Sequence, residues 1–255
     1  MIDIPLMTPS RTLRRCVAAA LLLLAAACGG QGAQSDVAED APAVRERNVR
    51  FNTSDGLTLT GRLFGRGKVG VTLAHMFPAD ATSWYPAARR LAAAGYMAIA
   101  FNFRGYATSE GDKQIAKAPT DIKAATDFLR RADARDVVFV GASMGGTASI
   151  VAGETMDPLA VVSVSAPLRF MGLDAPAIAG RVQRPVLLLA AREDSPAFAA
   201  VEELERALPN PETKLYDGDA HGTNLLADRP ESVDEIITFL RRYAPLDRSV
   251  PTTSP

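Results

Sequence analysis

The chain is poor in cysteine, in histidine and in net charge, and each shortage removes a class of function. Both cysteines, Cys16 and Cys28, fall near the N-terminus, so the chain beyond them holds neither a disulfide nor a thiolate for a metal. Two histidines, His75 and His221, are the whole supply of imidazole. Twenty-eight basic residues against 29 acidic ones leave a formal charge of −1, so no broad basic face is implied and no nucleic-acid partner is expected. Long apolar runs are missing as well: Val17 to Ala27 stops short of the roughly 20 residues that a membrane span requires. No internal repeat is found. What is there is an ordinary globular balance, 47% hydrophobic and 22% charged over 255 residues, enough for one large domain with a sizeable core.

The N-terminal segment reads as a targeting signal, because Arg11, Arg14 and Arg15 precede the apolar run and the run ends at Cys28. The stretch Leu24-Ala-Ala-Ala-Cys28 resembles a bacterial lipoprotein signal, in which small residues precede a cysteine that is lipidated and becomes the first residue of the mature protein. It departs from that pattern at Ala25, where leucine is more usual. The resemblance implies export and anchoring to a membrane through Cys28 on its extracytoplasmic side. The alternative is a secretory signal cut at one of the alanines, giving a soluble secreted protein. Residues 29–47, small and polar without apolar period, read as a flexible tether. A domain is expected over 48–244 and a disordered tail over 245–255.

Within that domain, Val49-Arg-Phe-Asn-Thr and Leu57 to Phe64 alternate apolar and polar residues around Ser54-Asp-Gly56, the pattern of an antiparallel hairpin. Four later runs are continuously apolar: Val69 to Ala74, Met97 to Phe101, Val137 to Val140 and Pro185 to Ala190. Strands buried on both faces read this way. Shorter candidates are Ala160 to Val164 and Thr213 to Tyr216. Helical stretches are predicted at 83–94, 119–132, 144–156, 196–208 and 230–243, several opening on proline. Strand and helix in alternation predict an α/β domain with a mostly parallel sheet and helices on both faces. Residues 165–184 have room for one short helix and no large lid.

Gly141-Ala-Ser-Met-Gly145 matches G-x-S-x-G, with a strand before it and a helix after it. The glycines permit a sharp strand-to-helix turn that holds the Ser143 hydroxyl to solvent beside a helix N-terminus, where a developing negative charge is favoured. A serine hydroxyl needs a base to become a nucleophile, and histidine is the usual one. His221, in Asp217-Gly-Asp-Ala-His-Gly222, lies in a loop after the last strand candidate, where this chain order of triad places the base. His75, at the end of the first central strand, is read as bracing its loop. The third member is a carboxylate that orients the imidazole. Asp194, in Ala191-Arg-Glu-Asp-Ser-Pro196, follows a strand and lies between Ser143 and His221; Glu193 is its rival, while Asp217 and Asp219 fit turn building. Backbone N–H groups of Met144 and of either Met76 or Phe77 would form the oxyanion hole. Met76, Phe77, Trp84, Tyr85 and Met144 are expected to wall an apolar pocket.

With these motifs, and with Leu73 to Asp80, Phe101 to Gly111 and Asp219-Ala-His-Gly222, the chain resembles the α/β-hydrolase superfamily, in particular its small lidless esterases and dienelactone-hydrolase-like members. The resemblance implies about eight strands, a Ser143, Asp194, His221 triad, and no metal or organic cofactor. It does not name a substrate; the expected apolar wall of Met76, Phe77, Trp84, Tyr85 and Met144 suggests a small to medium carboxylic ester, and no oligomeric state can be read. Within the class, a peptidase or a thioesterase would use the same residues; outside it, a non-catalytic surface lipoprotein could use the fold as a binding module. Two departures stand out. Glycine commonly follows the oxyanion-loop histidine where this chain has Met76, and aspartate is common where it has Asn102.

Overall fold

The computed structural model describes residues 44–247; the leader, Cys28 and most of the tether lie outside them. The hairpin of β1 (Glu46–Asn52) and β2 (Thr58–Phe64) opens the domain, with Glu46 opposite Phe64 and Asn52 opposite Thr58. The strand therefore begins at Glu46, so Glu46 and Arg47, read from sequence as the end of the tether, belong to the sheet. Beyond the hairpin come β3 (Val69–Ala74), α1 (Tyr85–Ala93), β4 (Met97–Phe101), α2 (Ala118–Arg131), β5 (Asp136–Ala142) and α3 (Met144–Met156). They are followed by β6 (Val161–Val164), β7 (Arg169–Phe170), β8 (Leu173–Asp174), β9 (Val186–Ala191), α4 (Ser195–Ala207), β10 (Pro211–Tyr216), α5 (Thr223–Asp228) and α6 (Glu231–Tyr243).

Eight strands form one sheet in the order β1-β2-β4-β3-β5-β6-β9-β10. β2 pairs antiparallel with both β1 and β4; β4, β3, β5, β6, β9 and β10 are parallel. Every residue of β3, β4, β6 and β9 is buried, as expected for strands covered on both faces. Alternation sorts their side chains. Val138, Val140, Leu187 and Leu189 meet α1 and α6 through Leu91, Ile236 and Leu240. Val137 and Phe139 point the other way, to Ile122 and Leu129 of α2 and Ala148 of α3, while Leu188 and Ala190 meet Val201 and Leu204 of α4. This period of two in central strands makes the domain three layers, helix, sheet and helix.

Three further details differ from the sequence reading. The segment between β6 and β9 carries the two-stranded hairpin β7–β8 and a three-residue 3-10 turn at Ala179–Arg181, where one short helix was expected. Met171 and Gly172 both have positive φ, 44° and 95°, which matches the right-handed twist of a two-residue hairpin turn. The helix predicted from residue 83 begins as a 3-10 turn, Ala81–Trp84, capped by Asp80, whose side chain accepts from the Thr82 N–H. At the other end, Leu246, placed in a disordered tail by sequence, packs against the core.

Two buried polar groups hold the loops around β3 and β4. Arg104, 3% exposed, donates from Nε and Nη2 to Asp121 of α2, which is fully buried, and from Nη1 and Nη2 to Asp55 in the β1–β2 turn. Burial raises the Asp121 carboxyl, against the pull of the Arg104 hydrogen bonds. One guanidinium thus ties the hairpin, the loop after β4 and α2 together. Asn102 adds a second tie, accepting from the Ala81 N–H and donating to Thr60 Oγ1. His75 is enclosed by the rings of Phe103 and Tyr106, at 4.9 and 4.7 Å. Its Nδ1 lies 3.0 Å from the Met76 carbonyl oxygen and its Nε2 accepts from the Phe103 N–H at 3.2 Å, the pattern of a neutral imidazole protonated on Nδ1. Burial pushes its pKa down to about 4.

Asp121→Asn leaves the Arg104 charge half-compensated in the interior, and equilibrium unfolding in urea is expected to show a loss of about 3 kcal/mol, the usual scale for breaking a buried pair. His75 predicts an acid-linked loss. The unfolded imidazole binds a proton near pH 6.5 while the folded one does so only near pH 4, so its contribution is intact above pH 6.5 and disappears as pH falls toward 4. Urea titrations of the wild type and His75→Gln across that window should converge at low pH, by roughly 3 kcal/mol at the limit.

Candidate active site

Ser143 sits between the last residue of β5 and the first of α3, with φ 50° and ψ −117°. A side chain in that region is strained, and the surroundings hold it there. The Ser143 N–H donates to the Val164 carbonyl at 2.7 Å, and its own carbonyl accepts from the Thr147 N–H at 3.0 Å. Glycine is required on both sides: a β-carbon at Gly141 would overlap the Gly145 carbonyl, and one at Gly145 would overlap the carbonyl of Ala74. The first turn of α3 therefore rests on the backbone that leaves β3. That contact brings Met76 and Phe77, just past β3, close to the N-terminus of α3. The N–H groups of Met144, Met76 and Phe77 donate to no backbone carbonyl among the described residues.

His221 enters from the loop between β10 and α5, and its Nε2 lies 2.8 Å from Ser143 Oγ. Its Nδ1 lies 2.7 Å from Asp194 Oδ2. Asp194 directly follows Glu193 after β9, and the two carboxylates point to different partners. Glu193 caps the β10 loop by accepting from the Gly218 N–H, which removes it as a partner for His221. Because β9 and β10 are parallel neighbours, with Tyr216 opposite Ala191, their following loops leave at the same edge. Ser143 and Asp194 are buried, at 6% and 8% exposure, whereas the His221 side chain is 41% exposed. The row of three groups is thus reached from solvent at the imidazole.

The other sequence-predicted residues divide. Met76 runs beside the imidazole loop, with its sulfur accepting from Thr223 Oγ1 at 3.6 Å and standing where a side chain at Gly222 would be. Trp84 and Tyr85 do not wall the site. Trp84 is fully buried in the core beneath α1 and α6, and Tyr85 packs on Phe64 with the Arg62 guanidinium over its ring. Trp84 closes the 3-10 turn that precedes α1 and turns inward from it, while Tyr85 opens α1 against the β1–β2 hairpin. In their place stand residues that sequence reasoning did not single out: Tyr106, whose hydroxyl reaches the Met144 sulfur at 3.8 Å, and Phe170, 5.8 Å from Phe77 between ring centroids. Phe77 is 43% and the neighbouring Met171 67% exposed. The Met171-Gly172 turn was the available signal for this hairpin.

A profile of the alpha/beta hydrolase family matches residues 70–253, a span that includes Ser143, Asp194 and His221. No curated protein matches the sequence. Among solved structures, an esterase of Pyrococcus furiosus superposes with a TM-score of 0.67 at 19% identity, covering 78% of this chain and 91% of that one. A predicted CIB-like hydrolase of Thermoplasma acidophilum gives 0.66 at 18%, covering 78% and 99%. A thermophilic esterase of Thermogutta terrifontis, bound to malate, gives 0.65 at 16%, covering 77% and 99%. At such identities the superpositions establish the fold, and together with the family profile, which spans well over half of the chain, they show that this protein belongs to the alpha/beta hydrolase family.

Proposed function

We propose that the protein is a serine hydrolase that cleaves small to medium, partly apolar carboxylic esters through Ser143, His221 and Asp194. The observation that carries this reading is the unbroken hydrogen-bond row from Asp194 Oδ2 through both imidazole nitrogens to Ser143 Oγ, at 2.7 and 2.8 Å. Such a row permits one sequence of proton movements. As Ser143 Oγ attacks the ester carbonyl, His221 Nε2 takes the hydroxyl proton and Asp194 steadies the resulting imidazolium through Nδ1–H. The carbonyl oxygen gains a negative charge beside the N-terminus of α3, where the N–H groups of Met144 and of Met76 or Phe77 receive it. Collapse breaks the bond to the alcohol oxygen, which leaves with the proton from Nε2. Water, deprotonated by the same nitrogen, then attacks the acyl-serine and returns Ser143.

Ester cleavage is favoured by the similarity to solved esterases and by the contacting rings of Phe77, Tyr106 and Phe170, with the Tyr106 hydroxyl on the sulfur of Met144, the residue after Ser143, which suits an apolar acyl or alcohol group. The short β7–β8 hairpin leaves the site open to solvated substrates. The lipoprotein-like segment ending at Cys28 supports export and anchoring outside the cytoplasm.

Purified protein is expected to react with a fluorophosphonate probe and Ser143→Ala to give no labelling; a wild type that stays unlabelled, or an alanine variant that labels equally, ends the reading. The neighbouring acids separate in the same assay format. Asp194→Asn should lower kcat on a p-nitrophenyl ester by about 10³- to 10⁴-fold, through loss of the oriented tautomer, while Glu193→Gln should keep kcat within about threefold because its partner is the Gly218 amide.

A further inference from the structure

At the end of the sheet opposite Ser143 lies a cleft of about 910 Å³ lined by Arg45, Glu46, Arg47, Leu63, Arg66, Lys68, Met97 and Asp133 among others. Its apolar part comes from Leu63 and Met97, both buried. Its rim is cationic, and the charges there do not cancel. Glu46 is already engaged by Arg62 and Arg89, and Asp133 by Lys68. On the adjoining turn Asp136 pairs with Arg135 at 3.0 Å. Arg45, Arg47 and Arg66 have no carboxylate partner among the described residues; Arg47 lies over the Phe128 ring at 5.7 Å. Three exposed guanidiniums thus stand together on a chain whose formal charge is only −1.

We propose that this face docks on an anionic bilayer surface, with lipid phosphates received by Arg45, Arg47 and Arg66. The inference rests in part on the anchoring of Cys28. Between Cys28 and Val44 the sequence has 44 − 28 = 16 residue steps, a reach of at most about 55 Å, and the chain enters the sheet at Glu46 on the rim of this cleft. The described chain therefore runs toward Cys28 from the cationic face. No described helix is long and apolar enough to cross a bilayer. Each arginine near an anionic surface strengthens association by roughly fivefold, and three act together.

The geometry sets the direction of the active site. Lys68 precedes β3 and His75 follows it, a strand of about 20 Å, and Ser143, Asp194 and His221 all leave the sheet at the His75 end. Docking by the cationic face turns Ser143 away from the lipid. Its substrate is then a dissolved ester and not a constituent of the same bilayer.

The test uses the full lipid-anchored protein on vesicles of phosphatidylcholine alone and of phosphatidylcholine with one third phosphatidylglycerol, read by hydroxyl-radical footprinting. Peptides spanning Arg45–Arg47 and Arg66–Lys68 should be protected at least about threefold more on the anionic vesicles. High salt should reverse the protection, and so should the triple variant Arg45→Glu, Arg47→Glu, Arg66→Glu. The fluorophosphonate labelling rate of that variant should match the wild type, which shows that it folds. Equal protection on both vesicles, protection already present in detergent, or protection at Phe77, Phe170 and Met171 in its place overturns the proposal. The anchor is judged separately by flotation. If the protein floats only with anionic vesicles, and salt releases it, the docking face stands and the lipid anchor falls; if it floats with neither, both fall.

Discussion

The structure around Ser143 depends on one close approach, the seat of Gly145 on the carbonyl of Ala74. A helix axis cannot come that near to a neighbouring strand when a β-carbon intervenes. Because it does come near, the turn out of β5 is forced through the positive φ of Ser143, and the strain is held by the backbone bonds to Val164 and Thr147. The hydroxyl, the N-terminus of α3 and the amides past β3 are then placed relative to one another by main-chain packing. Rigid backbone is a better positioning device for an oxyanion than side chains, which would have to be ordered at an entropic cost.

The supports around this turn are polar groups that the interior fully employs. His75 is kept neutral by burial, so that one ring nitrogen can accept from Phe103 while the other bonds to Met76. The guanidinium of Arg104 joins elements distant in sequence, Asp55, Asp121 and its own loop. Neither group touches the row of Ser143, His221 and Asp194. Both fix the loops from which the edge of the site is built, and an arrangement of this kind makes the geometry of the site sensitive to the protonation of residues outside it.

The parallel sheet gives the domain two unlike ends. At the carboxyl ends of β3, β5, β9 and β10 the loops converge on Ser143, the usual place for a site in an open α/β sheet. At the amino ends lie Arg45, Arg47 and Arg66, next to the chain's entry into the sheet. Strand length separates the two, so the proposed docking at one end and the proposed chemistry at the other do not compete for surface.

The central strands and α3 were legible in the sequence because burial on both faces leaves runs such as Val137 to Val140 with no polar interruption, and because Gly141 to Gly145 mark the turn between them. Ser143 and His221 were named from that motif and from the scarcity of imidazole, and the fold brings their side chains within hydrogen-bond distance. Other features were open until the chain was folded. Glu193 and Asp194 are adjacent and chemically alike, and only the twist of the loop after β9 decided which carboxylate meets His221 and which caps Gly218. Trp84 and Tyr85 lie near the site in sequence, yet packing of the 3-10 turn and of the first residue of α1 turned them into the core and onto Phe64. The β7–β8 hairpin, too short to show a period, took its form from packing against α3, and with it Phe170 arrived beside Phe77. Local sequence determined the elements and the types of reactive group, since backbone preference and side-chain chemistry are local properties. Which groups face one another was decided by tertiary packing, because direction in space depends on the neighbours that each element finds.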